Sequence, residues 1–166
     1  MMDERLSQII KQGLNGAIIS EDEKYRYALW RIWDEDKPTV MFIMLNPSTA
    51  DATKNDATIN KCVAYAKRWG LYGGIFVCNL YALRSRDPGL LKFDQDPIGP
   101  DCDKWLITVS AMCTMKIAAW GNKILSQGRV FRVKTIVSPL NCLEKSKAGN
   151  PKHPLYLRKN LTPRFF

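Results

Sequence analysis

The stretch VMFIML (Val40–Leu45) runs straight into NPSTAD (Asn46–Asp51), and the reading of this junction decides the fold. An unbroken apolar run bounded by Pro38 and Pro47 reads as a strand buried on both faces. A polar turn follows it at once. IFVCNL (Ile75–Leu80) repeats the pattern and ends in Asn79, and KIAAW (Lys116–Trp120) is stopped by Gly121. TIVSPLNCL (Thr135–Leu143) makes a fourth run, weakened in its second half by Pro139, which cannot donate to a ladder. Upstream, YRYALWRIWD (Tyr25–Asp34) alternates apolar and polar residues and reads as a half-buried strand.

Helical signals fill the gaps. Ile59, Cys62, Val63, Ala66 and Trp69 follow the spacing of a core-facing stripe from about Asp56 to Trp69. Asn55 or Asp56 serves as its N-cap and Gly70 as its stop. Arg84–Pro100, with three prolines, reads as a long loop, and Asp101 or Asp103 caps a helix running to Cys113. A short helix is expected after Gly121. This alternation predicts one α/β domain over 1–166, with its core at about 25–158. Its architecture is expected to be three-layer α/β/α, around a central, mostly parallel four-stranded sheet plus an N-terminal strand.

Composition narrows the function classes. With 166 residues, 46% hydrophobic and 25% charged, the chain has globular proportions, and no apolar run is long enough to span a bilayer. Its start, MMDERLSQIIKQG, lacks the pattern of a secretory signal. Five cysteines without a C-x-x-C favour reduced thiols and a cytoplasmic location, and a single histidine excludes a histidine-rich metal site. The net charge of +9 is uneven: residues 1–103 hold 13 basic and 15 acidic residues, whereas 104–166 hold 12 basic residues and only Glu144 as an acid. A segment that basic suggests a polyanionic partner, with simple solvation as the plainer reading.

Ligands of open α/β sheets bind beyond the carboxyl ends of the strands. Asn46, Asn79 and Trp120-Gly121 all fall there, although each also suits turn or capping chemistry. A second cluster is GNPKHPLYL (Gly149–Leu157), in which His153 lies between two prolines. Like charge from Lys152, Arg158 and Lys159 is expected to depress its pKa. Leu155-Tyr156 would form an exposed apolar wedge.

NPSTAD, NLYALR (Asn79–Arg84), AWG (Ala119–Gly121) and the closing G-x-P-x-H-P-L-Y-L resemble the signature of domain-of-unknown-function family 1643, found in bacteria and bacteriophages. More distantly, the same order of motifs resembles the uracil-DNA glycosylase superfamily. That resemblance implies that Asn46-Pro47 positions the attacking water and that Asn79 binds a pyrimidine edge. It likens Trp120-Gly121 to a strand-end motif of the base pocket, and His153 to the histidine that stabilises the departing base. Asn46 and Ser48 stand where other branches carry Asp and Tyr, which is similar to the mismatch-specific branch and implies room for a 5-modified pyrimidine. The second Ser-Pro of that superfamily's histidine loop is missing here. Tyr65, Trp69 and Tyr81 are candidates for stacking on the base.

The expected function is therefore that of a DNA-binding, glycosylase-like protein, acting on DNA rather than RNA as a monomer, without metal or cofactor and away from membranes. Asn46, Asp51 and His153 would be catalytic, with Asn46 or Asp51 orienting water. Pro47, Ser48, Asn79, Trp120 and Gly121 would contact the base, while Lys152, Leu155, Tyr156, Arg158 and Lys159 would contact nucleic acid. A non-catalytic nucleic-acid or nucleotide binder and an enzyme of free nucleotides remain open on the same residues.

Overall fold

Alternating apolar side chains on the central strands must be covered on both sides, and the chain supplies both covers. The computed structural model of the protein describes residues 4–166. In chain order its elements are helix α1 (Glu4–Gln12), strands β1 (Asn15–Ile19), β2 (Arg26–Ile32) and β3 (Thr39–Met44), helix α2 (Ala57–Trp69), and strand β4 (Gly74–Asn79). Helix α3 (Cys102–Met112), strand β5 (Met115–Ala118), helix α4 (Gln127–Ile136), and strands β6 (Asn141–Cys142) and β7 (Arg164–Phe165) complete them. Short 3₁₀ turns occupy Pro88–Phe93 and Pro154–Tyr156.

The strands form one seven-stranded mixed sheet in the order β1-β2-β4-β3-β5-β6-β7. Strands β4, β3, β5 and β6 run parallel to one another. The β1–β2, β2–β4 and β6–β7 ladders are antiparallel. The expected four-stranded, mostly parallel sheet is thus corrected: half of the six ladders are antiparallel. Hairpin pairing needs only short connections, so β1 and β2 extend one edge while the C-terminal tail returns as β7 on the other.

Met41 and Ile43 of β3 and Phe76 and Cys78 of β4 face a core shared with α1, α3 and α4. Val40, Phe42, Met44, Ile75 and Val77 face the opposite core, under Ile59, Cys62, Tyr65 and Ala66 of α2. Asp56 caps α2 by accepting from the Ile59 amide at 2.9 Å, and Gly70 ends it at φ 73°, as the spacing predicts. Two expectations fail. Strand β2 is buried on both faces rather than half-buried, because β1 and β4 flank it and the two helical layers cover it. Thr135 and Ile136 end helix α4, so only Asn141–Cys142 of the run Thr135–Leu143 is a strand. Ser126, whose side chain accepts from the Arg129 amide, starts a helix that overrides the β-branched composition there.

The loop between β3 and α2 is organised by a buried cation. Arg31 donates to the carbonyls of Trp30 (2.8 Å), Asp51 (2.6 Å), Lys54 (3.2 Å) and Gly16 (3.4 Å), and to Asn55 Oδ1 (2.8 Å). This clamp fixes the start of α2 against the sheet. Arg31→Met, which leaves those acceptors without their donor, is expected to lower the unfolding free energy by about 2 kcal/mol or more. Urea denaturation with an unchanged m-value would show it, and an unaltered midpoint would contradict it.

Candidate functional site

The α2 face of the sheet carries a cleft of about 320 Å³ at the carboxyl ends of β3 and β4. Its lining includes Met44, Asn46 and Ser48 from the end of β3, and Val77 and Asn79 from β4. Asp56, Thr58 and Ile59 enter from the start of α2, Ser85 and Arg86 from the following loop, Arg26 from β2, and His153, Leu155 and Tyr156 from the tail. The topology explains the meeting. Met44 pairs with Asn79, so the two strands end level, and backbone bonds from Leu80 to Met44 and from Tyr81 to Leu45 keep the exiting chains together.

Asn79 lies at the floor, 2% exposed, on the same face as Ile75 and Val77. Neither Nδ2 nor Oδ1 has a hydrogen-bond partner. Buried polar groups are nearly always paired, so an amide with both atoms unanswered in a cleft is shaped for a ligand offering a donor beside an acceptor. Asn46 is fixed differently. Its Nδ2 donates to the carbonyls of Ser85 (2.9 Å) and Pro47 (3.0 Å), which leaves Oδ1 as its free acceptor.

The histidine segment is carried by main-chain bonds from Gly121 N to Pro151 O (2.8 Å) and from Lys152 N to Glu144 O (2.8 Å). Gly121 sits at φ 75°, where its left-handed backbone favours glycine, and it lies against the Cβ and main chain of His153. His153 Nδ1 accepts from the Leu155 amide at 3.3 Å. That contact assigns the proton of the neutral ring to Nε2, leaving an N–H donor. Burial holds the His153 pKa below its ordinary value, while Asp56 opposes the shift. The expected cause, like charge from Lys152, Arg158 and Lys159, is replaced by desolvation.

The structure sorts the expected residues clearly. Asn46, Ser48, Asn79, His153, Leu155 and Tyr156 converge on the cleft. Asp51 lies outside its lining: its carboxylate accepts from the amides of Lys54 (2.8 Å) and Thr53 (2.9 Å), which holds its pKa low. Pro47 is buried beside the cleft and contributes its carbonyl, which also accepts from Ser85 N. Trp120 points into the opposite core, edge-on to Phe166, because alternation along the chain after β5 sends it there. Lys152 is paired with Glu144, and Arg158 and Lys159 are exposed but outside the lining.

The proposed stacking aromatics also lie elsewhere. Tyr65 and Trp69 donate to the carbonyls of Arg158 and Leu161 (2.9 Å for Trp69), strapping the tail to α2. The Tyr81 hydroxyl accepts from the Leu125 amide (2.9 Å). Tyr156, 91% exposed at the mouth, is the aromatic ring of the lining.

Sequence reasoning missed Arg26, Asp56, Thr58, Ser85 and Arg86. Asp56 was legible only as a helix cap, although a cap at the strand-end rim faces the rim. Part of the basic charge of residues 104–166 is engaged within the fold. Lys104 pairs with Asp101, Arg129 and Arg132 with Asp103, and Lys134 and Lys145 lie over the Phe166 ring. The cations of the cleft, Arg26 and Arg86, come from the near-neutral half.

A family model described as a protein of unknown function (DUF1643) matches residues 26–155. The chain belongs to the DUF1643 family. The family match begins at Arg26 and ends at Leu155, both of which line the cleft, so it spans every lining residue but Tyr156. No curated protein and no solved structure matches the chain. No helix among the described residues is long and apolar enough to cross a membrane.

His153 is the single histidine, so its titration is read without ambiguity. Above the ordinary value of 6.5, folded and unfolded chains both carry neutral imidazole and the stability is complete. As pH falls through 6.5 towards the depressed folded value, the unfolded chain takes the proton first and stability is lost. NMR titration of the ring should give a pKa below 6.5, and His153→Gln should remove the corresponding loss of stability. A ring titrating at or above 6.5 would contradict the burial account.

Proposed function

We propose that this protein binds DNA, accepts a flipped, modified pyrimidine in the cleft and hydrolyses its N-glycosidic bond. The observation that carries the reading is Asn79, whose unpartnered Nδ2 and Oδ1 complement the carbonyl and adjacent N–H of a pyrimidine edge. The order of motifs shared with the uracil-DNA glycosylase superfamily supports it. So do four adjacent parallel strands, β4-β3-β5-β6, whose carboxyl ends lead into those motifs.

In this reading, exposed Tyr156, with Leu155 beside it, wedges into the stack as the base leaves it, at a cost of roughly a few kcal/mol. The bond from the sugar to the base nitrogen breaks and its electron pair stays on the base. His153 donates from Nε2 to an oxygen of the departing anion, a role suited to a ring kept neutral by burial. Water attacks the sugar carbon, oriented by Asn46 Oδ1, and Asp56 receives its proton. Asp56 takes over the role first assigned to Asp51 because it lines the cleft, and one of its two oxygens is left after capping Ile59. The five buried thiols suit a reducing compartment such as the cytoplasm.

A second reading, a binder or enzyme of free nucleotides, is favoured by the pairing of Lys104, Arg129, Arg132 and Lys152 with carboxylates, which lowers the charge these four offer to a polyanion. The two separate on one assay. Duplex DNA carrying uracil, 5-hydroxymethyluracil or larger 5-substituents should acquire abasic sites on incubation with the protein. Asn79→Ala and Asp56→Asn should slow release by about tenfold or more, while Asp51→Asn leaves it within about twofold. Duplex affinity should fall steeply with salt and on Tyr156→Ala. No release across the panel would end the hydrolase reading, and salt-insensitive binding of mononucleotides alone would establish the second.

A further inference from the structure

Strand β2 carries an irregularity at its start. Ala28 pairs with Ile18, but Ile19 pairs with Arg26, so β2 holds one extra residue against β1. Ala28 and Trp30 face the layer of α1 and α3. Without the extra residue, Arg26 would face that layer too. The bulge instead turns it into the cleft, which is how bulges re-aim side chains beside functional sites.

Arg26 is 2% exposed, as deep as Asn79. Its Nη1 donates to the Ala50 carbonyl at 2.9 Å, whereas its Nε has no partner. Burial lowers its pKa to about 10, with Asp56 opposing that shift, so the guanidinium stays charged at neutral pH. The contrast is with Arg31, whose Nε, Nη1 and Nη2 all donate within the protein. Arg31 is answered by the fold, and Arg26 is built to be answered by something else.

The chemistry of that acceptor follows from counting oxygens, given the base-binding reading above. A pyrimidine-2,4-dione has two carbonyls, at C2 and C4, with the ring N–H between them. In this reading Asn79 takes the N–H together with the C4 carbonyl, and the Nε2 donor of His153 takes the C2 carbonyl. A third oxygen is needed for Arg26. In the ring, C5 adjoins the carbonyl that Asn79 reads. Depth argues against a backbone phosphate, which belongs at the mouth beside exposed Arg86. We infer that the cleft selects pyrimidines carrying an oxygen-bearing 5-substituent, hydroxymethyl or carboxyl, which the Arg26 guanidinium reads.

The test uses the full chain and short single-stranded oligonucleotides of one sequence, differing only in a central uracil, thymine, 5-hydroxymethyluracil or 5-carboxyluracil. Affinity is measured by fluorescence anisotropy. The wild-type protein should bind the 5-carboxyl strand about tenfold or more tightly than the thymine strand, since a charge-assisted bond replaces an unanswered donor. Arg26→Gln should erase that preference, so that the 5-carboxyl and thymine strands bind alike. Arg26→Lys keeps the cation, drops Nε and should lose most of the preference. Should either variant fail to fold, the wild-type ranking decides.

All strands carry the same phosphates, so an equal loss for every strand in Arg26→Gln would assign Arg26 to the backbone and overturn the inference. A wild-type protein that ranks thymine level with the oxygen-bearing bases would overturn it as well. Asn79→Ala separates this failure from failure of the base-binding reading. If Asn79→Ala weakens every modified strand while Arg26→Gln weakens none, the base-binding reading stands and the assignment of Arg26 falls. If neither variant nor base identity matters, both fall.

Discussion

The parallel pairing of β3 with β4 is the interaction on which the cleft depends. Each strand is buried on both faces, so register alone decides which residues emerge at the rim and on which side. Met44 against Asn79 places the amide on the α2 face, level with the turn that carries Asn46. A slip of one residue would send Asn79 into the opposite core, where an unpaired amide has nothing to bind. The main-chain bonds from Leu80 and Tyr81 back to Met44 and Leu45 extend the pairing past the strand ends and so hold the floor rigid.

Two arginines of one strand place the same chemistry in different settings. Arg31 is saturated by carbonyls of the loop that leads to Asp56, so it positions the start of α2. Arg26, turned by the bulge, keeps a buried donor unanswered beside an equally unanswered Asn79. Unpaired buried groups are costly in a folded chain, so their concentration in one cleft is the observation on which the proposed ligand site rests. Trp120 Nε1 is also unpaired, but on the far side of the sheet, packed against Phe166. The neutral His153 completes the cleft as a donor, its proton directed to Nε2 by the Leu155 amide.

Much of this was legible in the residues. The apolar runs announce β3, β4 and β5, and the stripe with its Asp56 cap and Gly70 stop announces α2, because local periodicity and end chemistry act within a few residues. Helix α1 and strand β1 were not legible, since a short strand shows itself only through the partner it pairs with. The run from Thr135 misled for a related reason: β-branched composition is a weak preference, and the Ser126 cap with burial of Val130 and Val133 outweighs it. Charge was legible only as a total: Arg129 and Arg132 are paired across the fold with Asp103, and linear distance says nothing about such pairing.

By itself, then, the sequence determined that this is an α/β chain with Asn46, Asn79 and His153 at the ends of buried or restricted segments. These are consequences of local pattern, and they carry the family signature. Only the tertiary structure decided that Asp56 rather than Asp51 meets those residues, that Trp120 turns away from them, and that Arg26 joins them. Each of those outcomes rests on a contact between distant segments: the clamp of Arg31 on the loop before α2, the alternation of β5 between two cores, and a bulge defined only against β1. Hydrogen bonds and registers of this kind exist only once the strands have paired.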